Sequence, residues 1–382
     1  MQISKYIVSI SIPSLIFLAG CDKVKELQNS ITSSSVPTVI SKKLDFQTTE
    51  NTGKIVINPQ FDDAQDFSEG LAGVKIGNKW GFIDKQGKMV INAQFRDASV
   101  FSEGLAAVAI GDKFGFIDKQ GRMEINPQFG NADRFKDGLA EIIIGDKYGF
   151  IDKQGKIVIN PQFDFTFGFS EGLAAVGIGD NLTGKSGYID KQGKFVINPQ
   201  FDPRVRSGVN FSANDFSEGL AAVAIGDKFG FIDKQGKIVI NPQFEDAQNF
   251  KEGLAAVTID LKYGFINKQG KMVINPQFDG TSGFYEGLAV VSIGDNLTGK
   301  SGYIDKQGKF VINPQFLDAS VFSEGLAAVL IGDQKSGKWG FIDKQGKMVI
   351  NPQFGGAERF LDGLSKITIG DSTTGKKGYI SR

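Results

Sequence analysis

The chain has 382 residues, with 43 basic and 43 acidic side chains, 49 glycines, 33 phenylalanines, one cysteine and no histidine. A hydrophobic fraction of 41% beside 23% charged residues belongs to a folded chain rather than a disordered one. The lack of histidine removes the usual general base, the commonest zinc ligand and the physiological pH switch, which excludes most nucleophilic triads and zinc hydrolases; the balanced charge gives no reason to expect a nucleic-acid partner.

Residues 1–20 carry one lysine, Lys5, and then an apolar run from Ile7 to Ala19. At about 13 residues the run is too short to cross a bilayer of roughly 30 Å as a helix, and it reads as a signal peptide. It ends Leu18-Ala19-Gly20-Cys21, a string that resembles the bacterial lipobox, in which the cysteine is acylated and becomes the mature N-terminus. Cys21 is therefore the expected lipid anchor, and the protein is expected to be exported and held on a bacterial membrane, facing the periplasm or the cell surface. As the only cysteine, Cys21 leaves no internal disulfide to form. Loss of residues 1–20 leaves 42 basic against 43 acidic side chains, so bulk charge points to no partner. Residues 21–53 are polar, with Ser30, Thr32, Ser33, Ser34 and Ser35 ahead of Pro37, and read as a tether. A flexible chain of about 30 residues would span roughly 30 Å.

Beyond the tether the sequence repeats. Asn-Pro-Gln-Phe begins at Asn58, Asn126, Asn160, Asn198, Asn241, Asn275, Asn313 and Asn351, and a ninth copy at Asn92 has Ala93 in place of proline. A second landmark, Gly-Phe/Tyr-Ile, begins at Gly81 and recurs at spacings of 34, 34, 38, 43, 34, 38, 38 and 38 residues, ending at Gly378. Nine units of 34–43 residues fill 54–382 and leave no room among them for a separate catalytic domain.

In the unit from Gly104 to Phe129, Leu105 to Ile110 is a β-favouring run, Gly111-Asp112-Lys113 a turn, and Phe114 to Asp118 a second strand. Lys119-Gln120-Gly121-Arg122 turns the chain into a third strand, Met123 to Asn126. Gly115 and Gly121 suit a bulge or a positive φ better than a helix interior. Pro127 cannot donate to a ladder, so the third strand ends there or lies at an edge. A return segment of about ten residues, typified by Asp246 to Gly253, leads to the next three-stranded meander. The predicted class is thus all-β, nine meanders each with a return segment.

Three aromatic positions recur in each unit: the Phe of Asn-Pro-Gln-Phe, the Phe before Ser-Glu-Gly, and the Phe or Tyr after glycine. They are expected to form the core, since a unit this short holds little else large enough to bury. The stretch EGLAAVAIGDKFGFIDKQGKIVINPQFEDAQNF, within 218–250, resembles the WG-repeat (KWG) family of bacterial proteins. The signature Trp-Gly stands at Trp80-Gly81 and Trp339-Gly340, while Ser186, Ser301 and Lys377 replace the tryptophan after lengthened turns, which marks it as a replaceable packing residue. The resemblance implies a β-rich repeat domain and no defined activity.

The chain enters the repeats on a third strand and leaves on a first and second. The ends can therefore complement each other in a propeller-like closed ring, which hides strand edges. The alternative is an open β-solenoid array capped by Leu44 to Gln47.

Acidic residues precede glycine in all nine units, Glu69 to Asp362, and read as turn or cap residues rather than acid–base pairs, which need unlike environments. Lys85, Lys119 and Lys153 are expected on one rim, offset by their neighbouring aspartates. No calcium loop, P-loop or dinucleotide fingerprint is present, so no cofactor or metal is expected. The irregular segments are the candidate contact loops. These are the 202–215 loop with Arg204, Arg206 and Asn210, and the Asn-Leu-Thr-Gly-Lys turns with Asn181 and Asn296. The function expected is a lipid-anchored, non-enzymatic binding or scaffolding module with a protein or glycan partner. Cell-wall or glycan binding is the alternative, and a carboxylate-based glycoside hydrolase is the least supported reading.

Overall fold

In the computed structural model every repeat is a small antiparallel sheet, and nine such sheets form a ring, a nine-bladed β-propeller. The structure describes residues 53–180, 184–202, 213–295, 298–333 and 335–382, with backbone alone at 205–206 and 209–210. No helix occurs among them. Cys21, the signal peptide and all but the last residue of the tether lie outside the described residues.

Blade 1 consists of Asp63–Ala64, Leu71–Ile76, Lys79–Asp84 and Met89–Phe95, paired in chain order. The return segment of the sequence reading thus contributes a short first strand, and the blade has four strands. That strand lengthens to six residues in blades 3, 4 and 7 (Asn131–Lys136, Phe165–Ser170 and Gly280–Tyr285). In blade 5 it shrinks to a single bridge between Ala213 and Val223.

Burial explains the differing patterns of the other strands. The second strand of blade 2, Leu105–Ile110, is buried at every position but its last, because blades pack on both of its faces; it is a continuous apolar run for that reason. The fourth strand, Met123–Phe129, buries only Ile125 and Phe129 fully and forms the outer edge. Pro127 sits there without breaking a ladder, and the strand continues past it.

Each third and fourth strand meets through a bulge. Phe114 faces Phe129, but Phe116 faces Ile125, so the Asn126-Pro127 backbone bows toward Gly115. A Cβ on Gly115 would lie 2.3 Å from the Ile125 carbonyl oxygen, and the same close approach recurs at Gly81 and Gly378. This is why glycine holds that place in every unit.

The core forms between blades. The ring after each Gly81-type glycine packs edge-on or tilted against the Phe of the next blade's first segment: Phe82 on Phe101 at 4.8 Å, Phe116 on Phe135 at 4.9 Å, Phe341 on Phe360 at 5.0 Å. The ninth pair, Tyr379 on Phe67 at 4.9 Å, joins the first repeat to the last. There the N-terminal strand Lys54–Phe61 pairs with the C-terminal strand Lys376–Ser381, Lys54 opposite Ser381 and Phe61 opposite Lys377. Tyr379 Oη also donates to the Gln65 carbonyl at 2.6 Å. The ring is closed, and the ninth blade joins the first strand of the repeats to the last.

Candidate functional site

An antiparallel meander puts the turns between strands one and two and between three and four on one face. Turns between strands two and three, and the links between blades, fall on the other. All length variation falls on the second face: the extended turns of blades 4, 7, 8 and 9 and the long link before blade 5.

The first face is uniform and locked. Glu69 sits at φ 53°, in the left-handed region, which aims its carboxylate at the next blade. There it accepts the Gly104 N–H at 3.0 Å and pairs with Lys119 at 3.0 Å. Glu103 repeats this with Gly138 and Lys153, and Glu286 with Gly325 and Lys344. Lys85 and Asp362, 2.8 Å apart, carry the pattern across the seam between the chain ends. Burial opposes ionisation of Glu69, but Lys119 and the Gly104 N–H outweigh it and hold the carboxyl below its usual range. The carboxylates of Glu69, Glu103 and Glu286 thus accept backbone N–H bonds, as expected of turn or cap residues, but from the next blade rather than from their own turn. The rim lysines are neutralised differently from the reading: their partner is the acid that precedes glycine in the preceding blade, Glu69 for Lys119, Glu103 for Lys153 and Asp362 for Lys85. The adjacent Asp84 instead accepts the N–H groups of Gln86 and Lys88.

The second face carries another link, one that sequence reasoning missed. The residue following the fourth strand is acidic at five of the nine junctions. Asp164 accepts the Nζ of Lys147 from blade 3 at 2.5 Å and the Gly179 N–H of blade 4 at 2.8 Å. Asp279 does the same with Lys262 and Gly294, and Asp62 with Lys376 and Gly77. The lysine and then the glycine N–H hold Asp279 below the usual carboxylate range.

Of the contact loops expected from the sequence, the described flanking residues Asp180, Gly184, Asp202, Asp295 and Thr298 belong to this face. Asn181, Asn296 and Arg204 lie outside the described residues. Arg206 and Asn210 stand on a two-residue hairpin, Val205–Arg206 with Val209–Asn210.

Near the axis the repeat breaks in a different way. Gln65 Nε2 donates to Ala98 O, Asn214 Nδ2 to Ala247 O and Gln248 Nε2 to Thr281 O, so at these three junctions the first segments of neighbouring blades bond to one another. The third position of the second strand is glycine, alanine or valine in seven blades, but Glu141 in blade 3 and Lys366 in blade 9. Burial first, then the neighbouring carboxylates of Asp133 and Asp215, push Glu141 up to about 8. Burial raises Asp215 to about 6 against the pull of Lys136. Lys366 instead pairs with Glu358 at 2.8 Å and donates to Ala64 O. The signal for both was present in the sequence, where Leu-Ala-Glu and Leu-Ser-Lys interrupt the Leu-Ala-Ala pattern. Among the described residues no cluster of acidic, cysteine or histidine side chains is arranged to hold a metal ion.

The geometry defines a propeller whose variable elements are gathered on one face. The model of the WG containing repeat matches the chain nine times, over 51–80, 80–114, 114–148, 148–181, 187–202, 229–262, 263–296, 302–334 and 339–371, and the chain belongs to that family. No curated protein matches it. Among solved structures, Hsv2 of Kluyveromyces lactis is 10% identical over 75% of this chain and 98% of its own, with a TM-score of 0.37. PorZ, a surface component of the type-IX secretion system of Porphyromonas gingivalis, is 10% identical over 86% of this chain and 60% of its own, with a TM-score of 0.26. At such identities and scores neither says anything about function.

Proposed function

We propose that the protein is a non-enzymatic binding or scaffolding platform, tethered to a bacterial membrane through acylated Cys21, that presents its loop-bearing face to a protein partner. One observation carries this reading: every insertion falls on one face, while the opposite face is tied blade to blade by repeating Glu–Lys links. Irregular loops on a rigid scaffold are where recognition commonly resides. The repeated glutamates are committed to backbone N–H groups and lysines, which supports a structural rather than an acid–base role. A protein partner is favoured over a glycan because sugar and cation cages need exposed aromatic faces. Of the two tryptophans, Trp80 is 8% exposed and Trp339 only partly exposed, so no cage of several open aromatic faces is formed by them.

The test is recovery of partners from envelope extract by the wild type, by a variant with residues 203–212 replaced by a short Gly-Ser linker, and by one with the 180–184 and 295–299 turns cut to the four-residue-shorter form of blade 2. Partners lost from the variants support the platform; identical recovery by all three removes it. In the same fractions Cys21→Ser is expected in the soluble exported pool or as an unprocessed precursor, and a variant that stays membrane-bound and lipid-labelled removes the anchor.

A further inference from the structure

We infer that the junction between blades 8 and 9 is a carboxylate-binding site on the loop-bearing face. At five other junctions a side-chain carboxylate bridges two blades. It takes a lysine ammonium from the start of the third strand of one blade and, in four of the five, the N–H of the glycine after the next blade's second strand. Asp164, Asp279 and Asp62 do so at 2.5 Å from Lys147, Lys262 and Lys376, and at 2.8, 2.9 and 2.6 Å from Gly179, Gly294 and Gly77. Blades 8 and 9 provide the same donors, Lys338 and Gly370, and the turn at Gly370 is of the type at Gly179 and Gly294, with φ of 95° beside 99° and 100°. The acid, however, is replaced by Gly355. In its place is a cleft of about 160 Å³ lined by Lys338, Gly355, Gly370 and Trp339.

The glycine is not exchangeable for the missing acid, since a Cβ on Gly355 would fall 2.0 Å from the Gly370 carbonyl oxygen. A carboxylate bound here therefore comes from outside the chain's own position 355. Two further carboxylates border the cleft, Asp333 and Asp371, but their turns use them: Asp333 accepts the Lys335 and Ser336 N–H groups and the Ser336 hydroxyl, and Asp371 the N–H groups of Thr373 and Thr374. Among the described residues no ion pair is formed by Lys338. Extended turns on both sides wall the cleft. The junction of blades 7 and 8 also has two extended turns, but there Leu317 stands at the position of the acid. A monocarboxylate with a small body over Trp339 fits this arrangement; a chain-terminal carboxylate and a sugar acid both have that chemistry. An ammonium beside a backbone N–H, both partly in water, makes such binding weak and salt-sensitive.

This inference takes the loop-bearing face as the binding face. Trp80→Phe leaves Trp339 as the only tryptophan, so its fluorescence reports the cleft in the full chain. Acetate, N-acetylglycine and glucuronate are titrated at constant ionic strength against chloride. A saturable change is expected with carboxylate and not with chloride, weakened tenfold or more by Lys338→Met and unaltered by Lys300→Met, the matched change at the Leu317 junction. Tighter binding of N-acetylglycine assigns the source to chain ends, and tighter binding of glucuronate assigns it to sugar acids. No saturable change, or one that persists in Lys338→Met, overturns the site. If partners are still recovered from extract in that case, the platform stands without it.

Discussion

Glu141 is the residue at which repetition gives way to something individual. A glutamate ionises near 4.5 in the unfolded chain, and burial with Asp133 and Asp215 beside it raises this to about 8 in the fold. Between those values the folded protein keeps a proton that the unfolded chain releases, so stability falls as the pH rises through that window, and below it the penalty vanishes. Glu141→Gln is accordingly expected to stabilise the protein by about 1–3 kcal/mol at pH 8 and to have little effect at pH 4. Urea unfolding of both proteins at the two pH values checks this, and a gain of equal size at each would show that Glu141 does not titrate as described. Asp215, raised to about 6, adds to the same slope, whereas Lys136 opposite it works to keep it charged.

The strand and its turns are where the sequence speaks most plainly. Leu105 to Ile110 and the bulge-facing Gly115 could be placed from composition alone, because a run buried on both faces has to be apolar and a crowded backbone has to lack a Cβ. Gly115→Ala is expected to cost about 1–3 kcal/mol, since the added methyl must displace the Ile125 carbonyl, while Lys113→Ala on the exposed turn should change stability by less than about 0.5 kcal/mol. Chemical denaturation of the two variants separates them. The short first strand was illegible for a simple reason: Asp63–Ala64 is too brief to show alternation. The links between blades were illegible for another. Lys119 lies 50 residues from Glu69, and the nearest opposite charge in sequence, Asp118, turns out to serve its own turn. The Asp164-type links are shorter, with Lys147 17 residues from Asp164, but no repeated motif marks them, since the residue after the fourth strand changes from unit to unit; the face they organise was guessed only from its irregular loops.

For the whole molecule, nine copies settle the architecture, but ring and open array use the same strands, and only the pairing of Lys54–Phe61 with Lys376–Ser381 decides between them. Removing residues 1–61 should bare the Lys376–Ser381 edge and half of the ninth core, and self-association through that edge is the expected result. Size-exclusion chromatography would show it, and a peptide of residues 54–61 should suppress it; a truncated chain that remains monomeric would mean the seam matters little. The seam has a kinetic side as well. Eight blades need only neighbours in sequence, and each can form as it emerges from synthesis. The ninth waits for residues 376–381, because Ser381 is the partner of Lys54. Folding then becomes a row of locally assembled blades held open until a single late latch engages, the slow step expected of a contact that spans nearly the whole chain. A chain interrupted before Lys376 would be a row of finished blades with no means of shutting.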